Sequence, residues 1–106
     1  MDELTIEPRE VHELMQKGEK FLLLDCREPW EYETARIEGA TLIPMREIPG
    51  KLEEIPKDQT VVVYCHAGMR SFNAASWLKR QGVNALSMSG GIDLWSKEID
   101  PKVPRY

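Results

Sequence analysis

The sequence predicts an α/β fold built on a mostly parallel central sheet of five strands. Short apolar runs alternate with amphipathic stretches along the whole chain, the pattern of strands joined by crossover helices. One run, Phe21-Leu22-Leu23-Leu24, is continuously apolar, as befits a central strand covered on both faces. No internal repeat, low-complexity stretch or long linker interrupts the alternation, so residues 1–106 are expected to form a single domain.

Each element has its own local reason. Leu4-Thr5-Ile6 reads as a brief first strand. Pro8, suited to a first helical turn, opens a helix to about Lys17, with Val11, Leu14 and Met15 on one face and Gly18 as its stop. Phe21 to Asp25 is the second strand, and Pro29 opens a short helix through about Thr34. Thr41-Leu42-Ile43 reads as a third strand ended by Pro44, and Met45 to Lys57, broken by Pro49-Gly50 and Pro56, as one or two irregular helical turns. Thr60 to Tyr64 is the fourth strand. Beyond it, Ser71, Ala74, Ala75 and Leu78 form a stripe at helical spacing, small enough to lie close on a sheet, with Gly82 as the stop. Ala85-Leu86-Ser87-Met88 is the fifth strand, and Gly90-Gly91 leads into a final helical turn carrying Leu94 and Trp95.

Composition narrows the function. With 42% hydrophobic and 30% charged residues, the chain has the make-up of a soluble globular protein. No apolar run approaches the length of a membrane span, and Met1-Asp2-Glu3-Leu4-Thr5 is acidic rather than a basic signal-peptide start, so a cytoplasmic location with no membrane partner is expected. The net charge of -4 and the scattered basic residues argue against nucleic acid as a partner. Lys79-Arg80, the one adjacent basic pair, reads as a solvated C-terminal helical turn. Two cysteines allow at most one bridge, which a chain of this size does not need. Cys65 is better placed as a free thiol.

The chemistry concentrates in Cys65-His66-Ala67-Gly68-Met69-Arg70-Ser71, between the strand Val61-Val62-Val63-Tyr64 and the helical stripe. A strand end fixes the cysteine, the loop can turn its N–H groups inward, and a helix start just beyond depresses the thiol pKa from about 8.5. Arg70 breaks a local rule, because positive charge is disfavoured at a helix N-terminus and residues 65 to 71 contain no carboxylate. A thiolate, a persulfide or a bound anion is the expected compensation. Four residues separate Cys65 from Arg70, one fewer than in cysteine phosphatases, which must wrap a tetrahedral phosphate. The shorter ring suits a single sulfur on the cysteine, and a phosphatase or arsenate reductase is the weaker alternative.

These residues resemble a single-domain rhodanese, a sulfurtransferase module, along nearly the whole chain. Cys65 to Arg70 matches the family's six-residue active loop, with Gly68 at its usual place. Asp25-Cys26-Arg27, Glu31-Tyr32 and Gly39-Ala40 answer to its earlier signature, and Gly90-Gly91 with Trp95 to its closing one. Two positions depart from it: Ala35-Arg36 stands where many members have Gly-His, and His66 where many thiosulfate users carry arginine or lysine. A neutral imidazole adds no positive charge, so thiosulfate is expected to be a surrogate donor.

The resemblance implies a three-layer α/β/α architecture and a double displacement through a Cys65 persulfide. His66, Ala67, Gly68, Met69, Arg70 and Ser71 would bind the substrate sulfur, with the main-chain N–H groups stabilising its charge and Arg70 at the mouth. The partners implied are a small sulfur donor and a thiophilic acceptor such as cyanide, a thiol or a protein thiol, with the chain a monomer or weak dimer. A carrier that holds the persulfide for one protein is the alternative. No metal or organic cofactor is expected, since Cys26, Cys65, His12 and His66 lack ligand spacing.

Asp25 and Arg27 read as structural, Arg27 bridging to Glu31 four residues on. Cys26 has two readings, an inert buried cysteine or, if its strand neighbours that of Cys65 as the family fold implies, a thiol able to resolve the persulfide as a disulfide. His12 is expected at a helix surface or boundary, and Trp30 and Trp95 as partly buried packing residues rather than walls of the pocket. Gly90-Gly91 is expected to be a turn.

Overall fold

In the computed structural model, which describes residues 4–106, five strands make one sheet: β1 (Thr5–Ile6), β2 (Phe21–Asp25), β3 (Thr41–Leu42), β4 (Thr60–Tyr64) and β5 (Asn84–Met88). Their order is β1-β5-β4-β2-β3, and every neighbouring pair is parallel. The acidic start Met1-Asp2-Glu3 lies outside the described residues. β2 and β4 pair in register from Phe21 with Thr60 to Asp25 with Tyr64, so their C-terminal ends stand side by side.

Strand alternation sorts the side chains into two layers. Leu24, Cys26, Val61, Val63 and Cys65 join the core formed with Ala74, Ala75 and Leu78 of the helix α3 (Met69–Arg80). Leu23, Val62 and Tyr64 point the opposite way, into a core with Val11 of α1 (Pro8–Gln16) and with Ile92 and Trp95 of α4 (Gly91–Glu98). This is the three-layer α/β/α arrangement. Val61, Val62 and Val63 are wholly buried, and each such side chain contributes about 1.5–3 kcal/mol relative to an exposed one.

α1 and α2 (Pro29–Thr34) start with the same device. In each, proline occupies the first turn, and a glutamate just before the helix and another in its first turn exchange bonds with each other's backbone N–H, Glu7 with Glu10 and Glu28 with Glu31. The stretch expected to be irregular holds two 3₁₀ segments, Met45–Glu47 and Pro49–Glu54. β5 begins one residue earlier than expected, at Asn84, and β3 ends one residue earlier, at Leu42. The final turn is longer than expected, because α4 runs eight residues and caps its last turn with the Ile99 N–H on the Trp95 carbonyl. No helix among the described residues is long and apolar enough to cross a membrane.

Candidate active site

Cys65 follows β4 directly, at the carboxyl end of the sheet where parallel α/β folds place their ligands. The loop beyond it is shaped by α4 as much as by its own residues. The Ile92 N–H donates to the Cys65 carbonyl (2.9 Å) and the Asp93 N–H to the His66 carbonyl (3.1 Å). Because each peptide is planar and trans, holding these carbonyls toward α4 turns the N–H groups of His66 and Ala67 the other way. Only glycine fits at position 91, where φ is +60° and an added Cβ would overlap the carbonyl oxygens of both Cys65 and His66. Gly68, at φ +114°, makes the return into α3. Gly90-Gly91, expected to be a turn, is therefore also the contact surface that fixes the loop.

The Cys65 sulfur sits at the base of this loop, 1% exposed. It accepts from the Gly68 N–H at 3.1 Å and the Ser71 N–H at 3.3 Å, and the Ser71 hydroxyl lies 3.3 Å away. The same hydroxyl lies 3.2 Å from the Gly68 carbonyl, and Ser87 of β5 stands 2.8 Å behind it, so the Ser71 side chain is held against the sulfur from both sides. The Cys26 thiol is buried in the same core layer, just past the end of the neighbouring strand β2. These donors, Cys26 first and then Ser71 and Gly68, outweigh burial and bring the Cys65 pKa down to about 5. Cys26 shifts upward, because it shares its proton with the Cys65 sulfur and is buried beside that charge. One sulfur of the pair is thus a thiolate at neutral pH, and the other keeps its proton.

Arg70 finds a carboxylate after all. Its guanidinium forks onto Glu31 of α2, Nη1 to Oε1 at 2.7 Å and Nη2 to Oε2 at 2.8 Å. The missing counter-charge comes from 39 residues away in sequence rather than from the loop or its cargo alone. Arg70 holds the Glu31 carboxyl down to about 2 against the opposing effect of burial. The expected Arg27–Glu31 bridge is therefore corrected: of Glu31, Arg27 reaches the main-chain carbonyl, at 3.3 Å, and not the carboxylate. Its charge is met by Asp25, with Nε to Oδ1 at 2.9 Å and Nη2 to Oδ2 at 2.6 Å. Both residues of that pair are wholly buried, and Tyr64 completes the group by donating to Asp25 at 2.8 Å.

Tyr106 joins the two ion pairs. Its hydroxyl accepts from Arg27 Nη1 at 2.8 Å and donates to Glu31 Oε2 at 2.7 Å, and its ring lies 4.4 Å from that of His66. Burial pushes the phenol up to about 12, so the donated proton stays in place. Sequence reading missed Tyr106, which follows a proline-containing tail with no motif around it. It also missed Ser87 as the support for Ser71.

The remaining loop residues are spread across the mouth. Ala67 and Met69 are exposed, while His66 is half-buried, with a buried Nδ1 that lacks a partner. Trp30 is not a partly buried packing residue: it is 61% exposed and stands edge-on to Tyr106. Trp95 is buried in the core, with half-buried His12 at its edge. Lys79 and Arg80 are exposed in the last turn of α3.

A thiolate ringed by main-chain donors at the end of a parallel strand defines an α/β protein with a cysteine-centred anion loop. The chain belongs to the rhodanese-like domain family, whose model matches residues 7–98. It is 38% identical over 105 residues to the probable adenylyltransferase/sulfurtransferase MoeZ of Mycobacterium tuberculosis, covering 96% of this chain but only 27% of that protein. It is also 38% identical to a sulfurtransferase of Allochromatium vinosum, with 92% of each chain covered. Among solved structures, a rhodanese-related protein from Thermoplasma volcanium superposes with a TM-score of 0.84 at 29% identity, over 96% of this chain and 98% of that one.

Proposed function

We propose that the chain is a sulfurtransferase that takes a sulfane sulfur from thiosulfate, or from another persulfide or polysulfide donor, onto Cys65 and passes it to a thiophilic acceptor. The observation that carries this reading is the buried Cys65 sulfur at the base of the loop, accepting from the Gly68 and Ser71 N–H groups. Family membership and the sulfurtransferase of similar length support it.

In the first half-reaction the Cys65 thiolate attacks the outer sulfur of the donor. With thiosulfate, the donor S–S bond breaks, sulfite leaves with its electron pair, and an anionic persulfide remains on Cys65. The charge now sits one sulfur farther out, where main-chain N–H groups from His66 to Ser71 would stabilise it. In the second half-reaction cyanide or a thiolate attacks that outer sulfur and the Cys65 thiolate departs. Arg70 steadies charge at the mouth, but its fork onto Glu31 offsets much of its positive field. With His66 at the second loop position, this favours donors less charged than thiosulfate.

A protein acceptor is the second reading, and a specific observation favours it. The large apolar side chains exposed among the described residues are Trp30, Met69 and Tyr106. Trp30 and Met69 each precede a partner of the Glu31–Arg70 ion pair, and Tyr106 bonds to that same Glu31. All three thus rim the Cys65 loop, and such a patch is suited to a docking protein. Intact mass after incubation with thiosulfate tests the main reading. One added sulfur is expected, removed by cyanide and absent from Cys65→Ser; an unmodified wild-type chain contradicts it. Fast transfer to small acceptors favours the turnover enzyme, and slow transfer to them favours the carrier.

A further inference from the structure

Cys26 is a buried thiol to which sulfur transfer assigns no covalent step. Its position is set by the sheet. β2 and β4 are paired through Asp25 and Tyr64, and the Cys26 N–H still donates to the Tyr64 carbonyl at 3.1 Å, so the pairing runs on past both strand ends. Cys26 and Cys65 follow as neighbours, and alternation sends both side chains into the same core layer. Adjacent strands lie about 4.7–4.9 Å apart, inside the Cα separation of about 4.4–6.8 Å that a disulfide accepts. Both cysteines are buried in that one cluster, and neither is in a disulfide.

We propose that Cys26 is an internal acceptor: when the Cys65 persulfide meets no external acceptor, the Cys26 sulfur attacks the Cys65 sulfur, expels hydrosulfide and leaves a Cys26–Cys65 disulfide. The inference rests on the reading of Cys65 as a sulfur carrier. The Cys26 S–H bond and the persulfide S–S bond break, the Cys26–Cys65 bond forms, and the Cys26 proton leaves on the hydrosulfide. The outer sulfur gains the electron pair that the two cysteine sulfurs lose, so no outside oxidant enters.

Charge placement decides when the step runs. In the resting protein burial and the neighbouring Cys65 thiolate suppress ionisation of Cys26. Persulfide formation moves that charge to the outer sulfur and leaves a neutral sulfur beside Cys26. An external acceptor arriving first takes the outer sulfur; in its absence, Cys26 converts stored persulfide into sulfide and closes the site. A dithiol reductant then reopens it by exchange.

The test loads wild-type chain, Cys26→Ser and Cys26→Ala with thiosulfate under nitrogen, removes the donor, and follows intact mass and released sulfide. Wild type is expected to gain one sulfur, then lose it with about one sulfide released per chain, ending about two hydrogens below the reduced mass. Either Cys26 variant is expected to keep its added sulfur, with sulfide release slower by about tenfold or more. A wild-type persulfide that persists, or one that decays no faster than in both variants, overturns the proposal while leaving the sulfur-carrier reading intact. Failure of wild-type Cys65 to take up sulfur overturns that reading, and the proposal with it.

Discussion

Tyr64 and Cys65 are consecutive residues, as are Asp25 and Cys26, yet the two pairs of neighbours build opposite kinds of polar centre. Tyr64 and Asp25 turn toward α1 and α4, where Arg27 satisfies the buried carboxylate and the tyrosine hydroxyl closes the group on itself. Cys65 and Cys26 turn toward α3, where donors converge on a sulfur and the neighbouring thiol keeps a proton. The first centre has its donors and acceptors matched. The second gathers the Gly68 and Ser71 N–H groups on one sulfur. One sheet end thus supplies a rigid anchor on one face and a reactive site on the other, and the strand alternation that separates them is only one residue wide.

Substitutions can break this contrast from either side. Cys65→Ser is expected to lower thiosulfate-to-cyanide transfer by about a thousandfold or more while leaving the urea midpoint close to wild type, because serine fills nearly the same volume. Arg27→Met reverses the pattern by leaving Asp25 buried without its counter-ion. Urea denaturation should show a loss of about 3–5 kcal/mol, and Cys65 in the molecules that remain folded should still ionise at low pH. A smaller stability loss would show that the Asp25 group is less closed than its bonds imply.

Gly91→Ala should cross the boundary between the two centres. The new methyl presses on the Cys65 and His66 carbonyls at a backbone angle that suits glycine, so stability should fall by about 1–3 kcal/mol and alkylation of Cys65 by iodoacetamide should slow. Normal stability with normal alkylation would mean that α4 does not shape the loop. The smallest effect is expected for Tyr106→Phe, about 0.5–1.5 kcal/mol for the lost hydroxyl bonds. Its ring stays on His66, so the ionisation of Cys65 should not move; a shift there would place Tyr106 in the sulfur centre rather than the anchor.

Local signals made most of the fold and the loop legible. Proline at two helix starts, glycine at the stops and the continuous apolarity of β2 and β4 each act within a few residues, and the folded chain follows them. The Cys65 loop could be read for the same reason, since strand, cysteine, glycine and helix start are contiguous. Long-range pairing was not legible in the same way. Glu31 lies four residues from Arg27, an ordinary helical partner, yet it binds Arg70, because the strand order brings α2 beside the start of α3 and Asp25 already occupies Arg27. Tyr106 carries no local pattern, and only the folded tail brings it to Glu31.

The central claim is that the loop keeps the Cys65 sulfur charged so that it can accept another sulfur. Thiolate absorbance near 240 nm followed against pH tests this most directly. The Cys65 pKa is depressed, so the thiolate is present at neutral pH and is lost as pH falls through about 5. Glu31 titrates only near 2, so its pair with Arg70 stays intact across that window. One thiolate per chain is expected, with a midpoint near 5 and missing in Cys65→Ser. A midpoint near the ordinary thiol value of about 8.5 would contradict it.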